Sequence, residues 1–189
     1  VHDGQVELWS GVQNPLGTKN SIADNFGYEQ EQVSVNNMYL GGGFGRRGRP
    51  DYTIQAVALA TALPGVPVKM IWSREEDVQH DLYRPALLSR FKASLNAQGL
   101  PEAWENQFVD KHEPVEAPYI PYSIANKYIH YVDSPTHVPF GPWRSVDHSQ
   151  HAFFTESFID ELAAAAAVDP YKYRRKLLDA EPRYQTVLD

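Results

Sequence analysis

Residues 40–49 form a glycine-rich stretch, Leu-Gly-Gly-Gly-Phe-Gly-Arg-Arg-Gly-Arg, which limits what the chain can fold into more than any other feature. Four of its glycines fall within five positions, where they remove side-chain bulk and allow positive backbone φ angles. The apolar run at residues 33–40 predicts a strand before it, and residues 51–63 predict a helix after it. A loop in this context can present backbone N–H groups to an anionic cofactor. A tight, flexible turn with solvated arginines fits the same residues, so both interpretations stay open at this point.

Hydrophobic patterns along the rest of the chain predict an α+β fold, a mixed sheet with packed helices, in one domain over residues 1–189. Further strands are predicted at residues 5–9, 66–72, 87–95, 101–109 and 128–132. Further helices are predicted at residues 19–28 and 150–167, and from Asp169-Pro170 to about Leu178. Proline-marked loops are predicted at residues 111–122 and 134–143, and a charged cap or turn at residues 73–77.

Composition excludes several classes of site. A net charge of −7 argues against a nucleic-acid binder, and the absence of cysteine excludes disulfides, cysteine-ligated iron–sulfur clusters and thiolate zinc sites within this chain. No apolar run approaches the length of a membrane span, and no secretory signal opens the chain. Because the chain starts almost at once in a strand-like run, we expect a fragment or processed piece of a larger protein.

Candidate catalytic groups are few. His148 and His151 are spaced to share a helix face, but no third metal ligand is indicated, so solvated or capping histidines are favoured and no metal ligand is predicted. The acidic residues at 75–77 could act as paired carboxylates, although a charged strand end is favoured because nothing nearby desolvates them. Nucleophile-elbow, Walker and Rossmann motifs are absent. No catalytic residue is therefore assigned.

Residues 140–145, Phe-Gly-Pro-Trp-Arg-Ser, are the second unusual stretch. Gly141 and Pro142 fix a bend. Trp143 offers a flat aromatic face, and Arg144 offers a rigid fork of donors suited to a phosphate or to the edge of a heterocycle. A tryptophan that fills the core beside a surface arginine is an equally good interpretation of the composition.

Taken together and in this order, these stretches resemble the molybdenum-binding subunit of the xanthine dehydrogenase/aldehyde oxidase family. Within it the resemblance is to isoquinoline 1-oxidoreductase β subunits and membrane-linked aldehyde dehydrogenase large subunits. The motifs that carry it lie at residues 6–15, 41–47, 68–77, 83–85, 142–146, 156–162 and 169–170. Each is weak alone, and their common order makes the resemblance specific. It implies the fold of the first molybdopterin-binding domain of such enzymes.

The resemblance also implies the cofactor and the residues that hold it. In the family the glycine loop lies against the molybdenum centre, a glutamine binds a molybdenum oxygen and an arginine helps to hold the pterin. The expected cofactor is molybdopterin, with its nucleotide form and its presence in a fragment left open. The expected cofactor-binding residues are Gln13, Gly42, Gly43, Phe44, Gly45 and Arg144.

Departures from the family pattern concern the substrate. Purine hydroxylases of the family carry a glutamate where this chain has Gly48, an arginine where Tyr83 aligns, and a phenylalanine where Val146 aligns. We therefore expect that purines are not the substrate. The resemblance implies oxidation of an aldehyde or an N-heteroaromatic compound with water as oxygen source, in a pocket that includes Tyr83, Trp143 and Val146.

One part of the family pattern is missing. The family's catalytic base is the glutamate of a Gly-x-Gly-Glu motif, which this chain lacks, and Glu156 and Glu161 on a helix are poor substitutes. We expect the chain to be inactive alone and to need the remainder of the molybdenum subunit, a small iron–sulfur subunit and, as a further acceptor, a cytochrome. The compartment, bacterial periplasm or cytoplasm, stays open. The alternative is a non-catalytic folded fragment that serves as an anion-binding or subunit-interaction module.

Overall fold

The structure, a computed structural model, describes residues 1–110, 119–135 and 137–189. Most of the loop predicted at residues 111–122 lies outside the described residues, as does Thr136 of the loop predicted at 134–143. The chain divides into two compact units. Unit 1 comprises Val1–Arg84 with Pro139–Arg144, and unit 2 comprises Pro85–Val138 with Ser145–Asp189. The single domain expected over residues 1–189 stays a prediction.

Unit 1 is a short parallel sheet covered by helices. Its elements are β1 (Val6–Ser10), α1 (Pro15–Phe26), β2 (Val33–Asn37), α2 (Asp51–Thr61) and α3 (Arg74–Gln79). β1 and β2 pair in parallel from Val6 opposite Val33 to Ser10 opposite Asn37. The buried core joins the inward face of both strands to one stripe of α1 and α2, through Val6, Leu8, Ile22, Ala23, Val33 and Val57.

Unit 2 packs a mixed sheet against helices. Its elements are β3 (Leu88–Leu95), β4 (Pro101–Asp110), β5 (Asn126–Asp133), α4 (His148–Ala165), α5 (Pro170–Leu177) and α6 (Pro182–Leu188). β4 is central, antiparallel to β3 and parallel to β5. The rings of Phe91 and Phe158 lie 5.2 and 5.0 Å from the ring of Trp104, and Ile159 and Tyr173 complete the centre of this core.

A polar network ties the helices of unit 2 to the segment after β4. The Tyr122 hydroxyl donates to the carboxylate of Glu156, with Oη 2.8 Å from Oε2. The guanidinium of Arg174 on α5 donates to the same carboxylate at 2.8 Å and also pairs with Asp160 on α4. Tyr122 is buried and the Arg174 side chain is largely buried, and both find their partner in the half-exposed carboxylate of Glu156, as burial of polar groups requires.

Most predicted elements are confirmed, and the mixed α+β fold with them. α1 begins at Pro15 rather than at residue 19, because Asn14 caps it by accepting from the Gly17 N–H at 2.8 Å and proline suits the first helical position. The charged segment after Ser73 is a short helix, α3, whose cap is the Ser73 hydroxyl. α6, which the patterns did not indicate, follows Glu181.

The strand predicted at residues 66–72 is wrong. These residues have no regular structure, and among the described residues no strand pairs with them. Alternating apolar residues favour a strand only where a partner supplies the ladder of hydrogen bonds. Here Val66 is 52% exposed and Ile71 is 76% exposed, so the apolar side chains lack the packing that would make the extended form stable.

Over the described ranges, no helix is long and apolar enough to cross a bilayer.

Candidate cofactor-binding site

The glycine-rich stretch forms an irregular loop between β2 and α2 in unit 1. Gly45 has a φ of 91°, a left-handed value that favours glycine. A Cβ atom at Gly45 would lie 2.4 Å from the carbonyl oxygen of Pro142, so the loop backbone is in direct contact with the segment that precedes Arg144. Phe44, with a φ of 49°, directs the chain into a short 3₁₀ turn over Arg46–Gly48.

Gln13 clamps this loop from the segment between β1 and α1. Its side-chain Oε1 accepts from the Gly45 N–H at 2.9 Å, and its own backbone N–H donates to the Arg47 carbonyl at 2.9 Å. A Cβ atom at Gly43 would lie 2.3 Å from Oε1 of Gln13, so the close approach depends on glycine. With Oε1 engaged, the Nε2 amide is left as a donor, and within the described part of the chain it has no acceptor.

Successive backbone N–H groups of the loop are free. Over the described residues, the N–H groups of Gly42, Gly43 and Phe44 donate to no protein acceptor. Successive free N–H groups in a glycine loop form a concavity that binds anions. Gly42, Gly43 and Phe44 all line a cavity of about 1300 Å³ in unit 1.

The segment around Arg144 is held beside this loop. Tyr83 forms a parallel bridge with Phe140, in which the Gly141 N–H donates to the Tyr83 carbonyl at 3.1 Å. The guanidinium carbon of Arg144 lies 5.9 Å from the ring centre of Phe44. Trp143 is half exposed and lies under the guanidinium of Arg84, 4.8 Å from its carbon, so it does not fill a core.

Sequence reasoning missed the residues that anchor the loop. Arg46 donates to both carboxylate oxygens of Asp51 at 3.0 and 3.1 Å, and its Nε lies 2.8 Å from Oδ1 of Asp81. Its guanidinium carbon also lies 5.4 Å from the ring centre of Trp72. Asp51 could have been found as an acidic residue shortly after an arginine, whereas Asp81 and Trp72 reach Arg46 only through the fold.

The structure brings most of the predicted site residues together. Unit 1 holds Gln13, Gly42, Gly43, Phe44, Gly45, Tyr83, Trp143 and Arg144. Val146 belongs to unit 2, where it is exposed and has a φ of 46°, a strained value for a β-branched residue. The roles assigned to these residues stay predictions. No group of three or more His, Asp or Glu side chains that could hold a metal ion occurs in the described ranges.

These residues fit a large, oxygen-rich anion. Preorganised N–H groups, a free amide donor and a cationic fork are the groups that stabilise oxo and phosphate oxygens. Because residues 43 and 45 are glycines, the loop backbone packs directly against the Gln13 side chain and the Pro142 carbonyl, and no side chain at these positions blocks a ligand. Glu156 does not offer a free base, because its carboxylate accepts from Tyr122 and Arg174.

Comparison with known proteins identifies the family to which this chain belongs. The family model of the molybdopterin cofactor-binding domain matches residues 1–178. The isoquinoline 1-oxidoreductase subunit beta of Brevundimonas diminuta is 26% identical over 205 residues, which cover 98% of this chain and 26% of that protein. The membrane-bound aldehyde dehydrogenase (pyrroloquinoline-quinone) of Gluconacetobacter polyoxogenes is 29% identical over 206 residues, which cover 96% of this chain and 26% of that protein.

Structural comparison gives the same fold. The crystal structure of quinoline 2-oxidoreductase from Pseudomonas putida 86 superposes with a TM-score of 0.74 at 21% identity, over 90% of this chain and 24% of that one. The chain thus spans about a quarter of the length of these relatives. The resemblance to isoquinoline oxidoreductases and aldehyde dehydrogenases, and the expected fold, are confirmed. The chain belongs to the molybdopterin cofactor-binding domain family, within the xanthine dehydrogenase/aldehyde oxidoreductase group of enzymes.

Proposed function

We propose that unit 1 forms one wall of the molybdopterin site in a larger hydroxylase subunit. The observation that carries the proposal is the set of free donors, the N–H groups of Gly42, Gly43 and Phe44, beside the free amide of Gln13. Bound there, the cofactor supplies the two-electron chemistry of hydroxylation at its molybdenum. The chain's own residues orient the cofactor through these donors, and Arg144 adds a positive charge toward its pterin or phosphate oxygens.

The substrate we propose is an aldehyde or an N-heteroaromatic compound that is oxidised with water as the oxygen source. The names of two relatives support both classes, since one is an isoquinoline oxidoreductase and the other an aldehyde dehydrogenase. Tyr83 and Trp143 are half or more exposed and offer aromatic rings to a substrate, with the guanidinium of Arg84 on one face of Trp143. Gly48 leaves no carboxylate just after the loop, which disfavours a purine that needs an acidic partner.

The general base, the remaining cofactor contacts and the route for electrons are proposed to lie outside this chain. Relatives of this chain are named as subunits, which supports an assembly of several polypeptides. Because the chain has no cysteine, an iron–sulfur cluster bound through cysteine must be held outside this chain. We place it in a small iron–sulfur subunit that passes electrons to a further acceptor such as a cytochrome. The 189-residue chain alone is then inactive.

The test compares Arg144→Ala with Arg49→Ala in the intact subunit. Both arginines are exposed, but only Arg144 stands over Phe44 of the loop. Loss of a charge-assisted hydrogen bond to the cofactor costs about 1.5–3 kcal/mol, so retained molybdenum and pterin should fall about tenfold or more in Arg144→Ala and stay unchanged in Arg49→Ala. Elemental analysis for molybdenum and fluorescence of the oxidised pterin measure this.

Three results would contradict the proposal. Equal molybdenum in both variants would remove Arg144 from the site. A purified intact subunit that is folded and active yet contains a quinone and no molybdenum would show that the cofactor is a quinone rather than molybdopterin. A folded intact subunit with neither group would favour the non-catalytic module.

A further inference from the structure

The glycine loop runs directly into the 3₁₀ turn Arg46–Gly48, and the turn is hydrogen-bonded back to the loop. The Arg47 N–H donates to the Gly43 carbonyl at 3.3 Å. This carbonyl belongs to the same planar peptide group as the Phe44 N–H, which is one of the donors proposed to meet the cofactor. A contact that fixes the turn therefore also fixes the direction in which this donor points.

The side chain of Arg46 joins the turn to two other segments of unit 1. Its Nη1 and Nη2 atoms donate to the carboxylate of Asp51, at the start of α2, at 3.0 and 3.1 Å. Its Nε atom lies 2.8 Å from Oδ1 of Asp81, which follows α3. The Arg46 side chain is only 20% exposed, and each of its three nitrogen atoms lies beside a carboxylate oxygen. These partners offset the cost of burying its charge.

Trp72 completes the surroundings of Arg46. The guanidinium carbon lies over the indole, 5.4 Å from the ring centre, and the indole Nε1 donates to Oε1 of Gln55 on α2 at 2.8 Å. One planar group thus meets Asp51, Asp81 and the Trp72 ring at the same time. An ammonium group is a point charge and does not offer this fork of donors. The arrangement is therefore specific for arginine.

We propose that Arg46 is a positioning residue for the cofactor, which orients the free N–H groups of the glycine loop through the turn and does not bind the cofactor itself. This role rests on the proposed function, since it presupposes that the loop holds molybdopterin. Donors that are already fixed in direction lose less conformational freedom when a ligand binds. Without the guanidinium, Asp51 and Asp81 lie beside the turn as two like charges, and their repulsion displaces it.

The first test is amide hydrogen exchange in the 189-residue chain, which reports the order of the loop with no cofactor present. Arg46→Met removes the charge, and Arg49→Met is the matched control at an exposed position of the same stretch. The Gly45 N–H, which donates to Gln13, should exchange about tenfold faster in Arg46→Met and at the original rate in Arg49→Met. Exchange at Ile22, buried in α1, should stay unchanged in both, because the opening is local.

The second test measures the molybdenum and pterin retained by the intact subunit. Arg46→Met should retain about tenfold less than the original subunit, and Arg46→Lys, which keeps the charge without the fork, should lie between them. Arg49→Met should retain the original amount. Circular dichroism gives the folded fraction of each variant. A positioning role lowers the cofactor content of the folded protein, whereas a purely structural role lowers it only in proportion to the folded fraction.

Asp81→Asn tests the same contact if Arg46→Met does not fold. The Asp81 side chain is 39% exposed, and that of Asp77, which pairs with Arg74 at 3.2 Å, is 40% exposed. Asp77→Asn therefore removes the same charge from the same segment but breaks the pair with Arg74 instead. Asp81→Asn should speed exchange at Gly45 and lower molybdenum retention by about threefold each, and Asp77→Asn should change neither.

The outcomes separate this role from the proposed function. Equal retention in Arg46→Met and Arg49→Met, with the original subunit loaded, would overturn the role of Arg46 and leave the proposed function in place. A folded original subunit without molybdenum would overturn both. Lower retention in Arg46→Met with no change in exchange at Gly45 would make Arg46 a direct ligand and contradict positioning through the turn. Faster exchange at Gly45 together with lower retention, in Arg46→Met and not in Arg49→Met, supports the role.

Discussion

The two units of the chain differ in how completely each fills its own interior. In unit 2, Trp104 is 1% exposed, and Ile159, Ala163 and Tyr173 are buried around it under a three-stranded sheet. In unit 1, a two-stranded sheet borders a cavity of about 1300 Å³, and Trp9 is 60% exposed. The unit with the glycine loop is therefore the one whose surface is left incomplete. The groups proposed to bind the cofactor and the filled core lie in separate parts of the chain.

Polar groups show the same contrast. In unit 2, Tyr122, Glu156 and Arg174 satisfy one another. In unit 1, within the described residues, the N–H groups of Gly42, Gly43 and Phe44 have no acceptor. An unsatisfied donor costs free energy if it is buried without water, so donors are kept free where a ligand or solvent reaches them. These three side chains of unit 2 satisfy one another, whereas the loop of unit 1 has free backbone donors, which are the groups that the proposed cofactor would use.

The largest effect expected from this contrast is at the tryptophans. Trp104→Ala removes a ring packed between Phe91 and Phe158 and should lower the free energy of unfolding by about 3–5 kcal/mol. Trp9→Ala removes an exposed ring of the same size and should change it by no more than about 0.5 kcal/mol. Urea unfolding followed by far-ultraviolet circular dichroism measures both.

Trp104→Phe serves if the alanine variant does not fold, because it removes only part of the buried ring. It should still cost more than Trp9→Phe. Equal costs at positions 104 and 9 would break the comparison, since they would mean that unit 1 packs the Trp9 ring as tightly as unit 2 packs the Trp104 ring.

The next effect concerns the two ends of the glycine loop. Gly45→Ala places a Cβ atom against the Pro142 carbonyl at a φ of 91°, so it should cost about 1–3 kcal/mol. Gly41→Ala meets no atom within 4 Å and should be neutral or stabilise by up to about 1 kcal/mol. In a Trp104→Phe background the remaining tryptophans, 9, 72 and 143, all lie in unit 1, so tryptophan fluorescence in urea reports this unit. A Gly41→Ala cost as large as that of Gly45→Ala would show that the loop as a whole, rather than its contact with Pro142, is sensitive.

The parts of the fold and of the candidate site that could be predicted from the sequence are those set by local signals. Asp169-Pro170 marks the start of α5 because the Asp169 carboxylate accepts from the Lys172 N–H and proline needs no partner for its nitrogen, and both effects act within one turn. The motif around Gly43 indicated a candidate site, since a glycine loop between a strand and a helix can present backbone N–H groups to an anion. The strand predicted at residues 66–72 was wrong because strand pairing depends on residues far away in the sequence, which a local pattern does not contain. The ion pair between Arg46 and Asp81 and the stacking of Arg84 on Trp143 were missed for the same reason.

The smallest expected effect is a pH dependence specific to unit 2. Burial and the negative charge of Glu156 raise the pKa of the Tyr122 phenol, so the folded chain keeps this proton at a pH where an unfolded tyrosine, with a pKa of about 10, has lost it. The stabilising contribution of this proton is complete below about pH 10 and is lost as the pH rises toward the higher folded value. Tyr122→Phe removes it, so the free energy of unfolding should fall less steeply above about pH 10 in the variant, by up to about 1.4 kcal/mol per pH unit. Tyr39→Phe, at a wholly exposed position, should keep the original slope. Urea unfolding between about pH 9 and about pH 11 gives these slopes. Equal slopes for Tyr122→Phe and the original chain would contradict the prediction, since they would mean that the Tyr122 phenol is open to solvent in the folded chain.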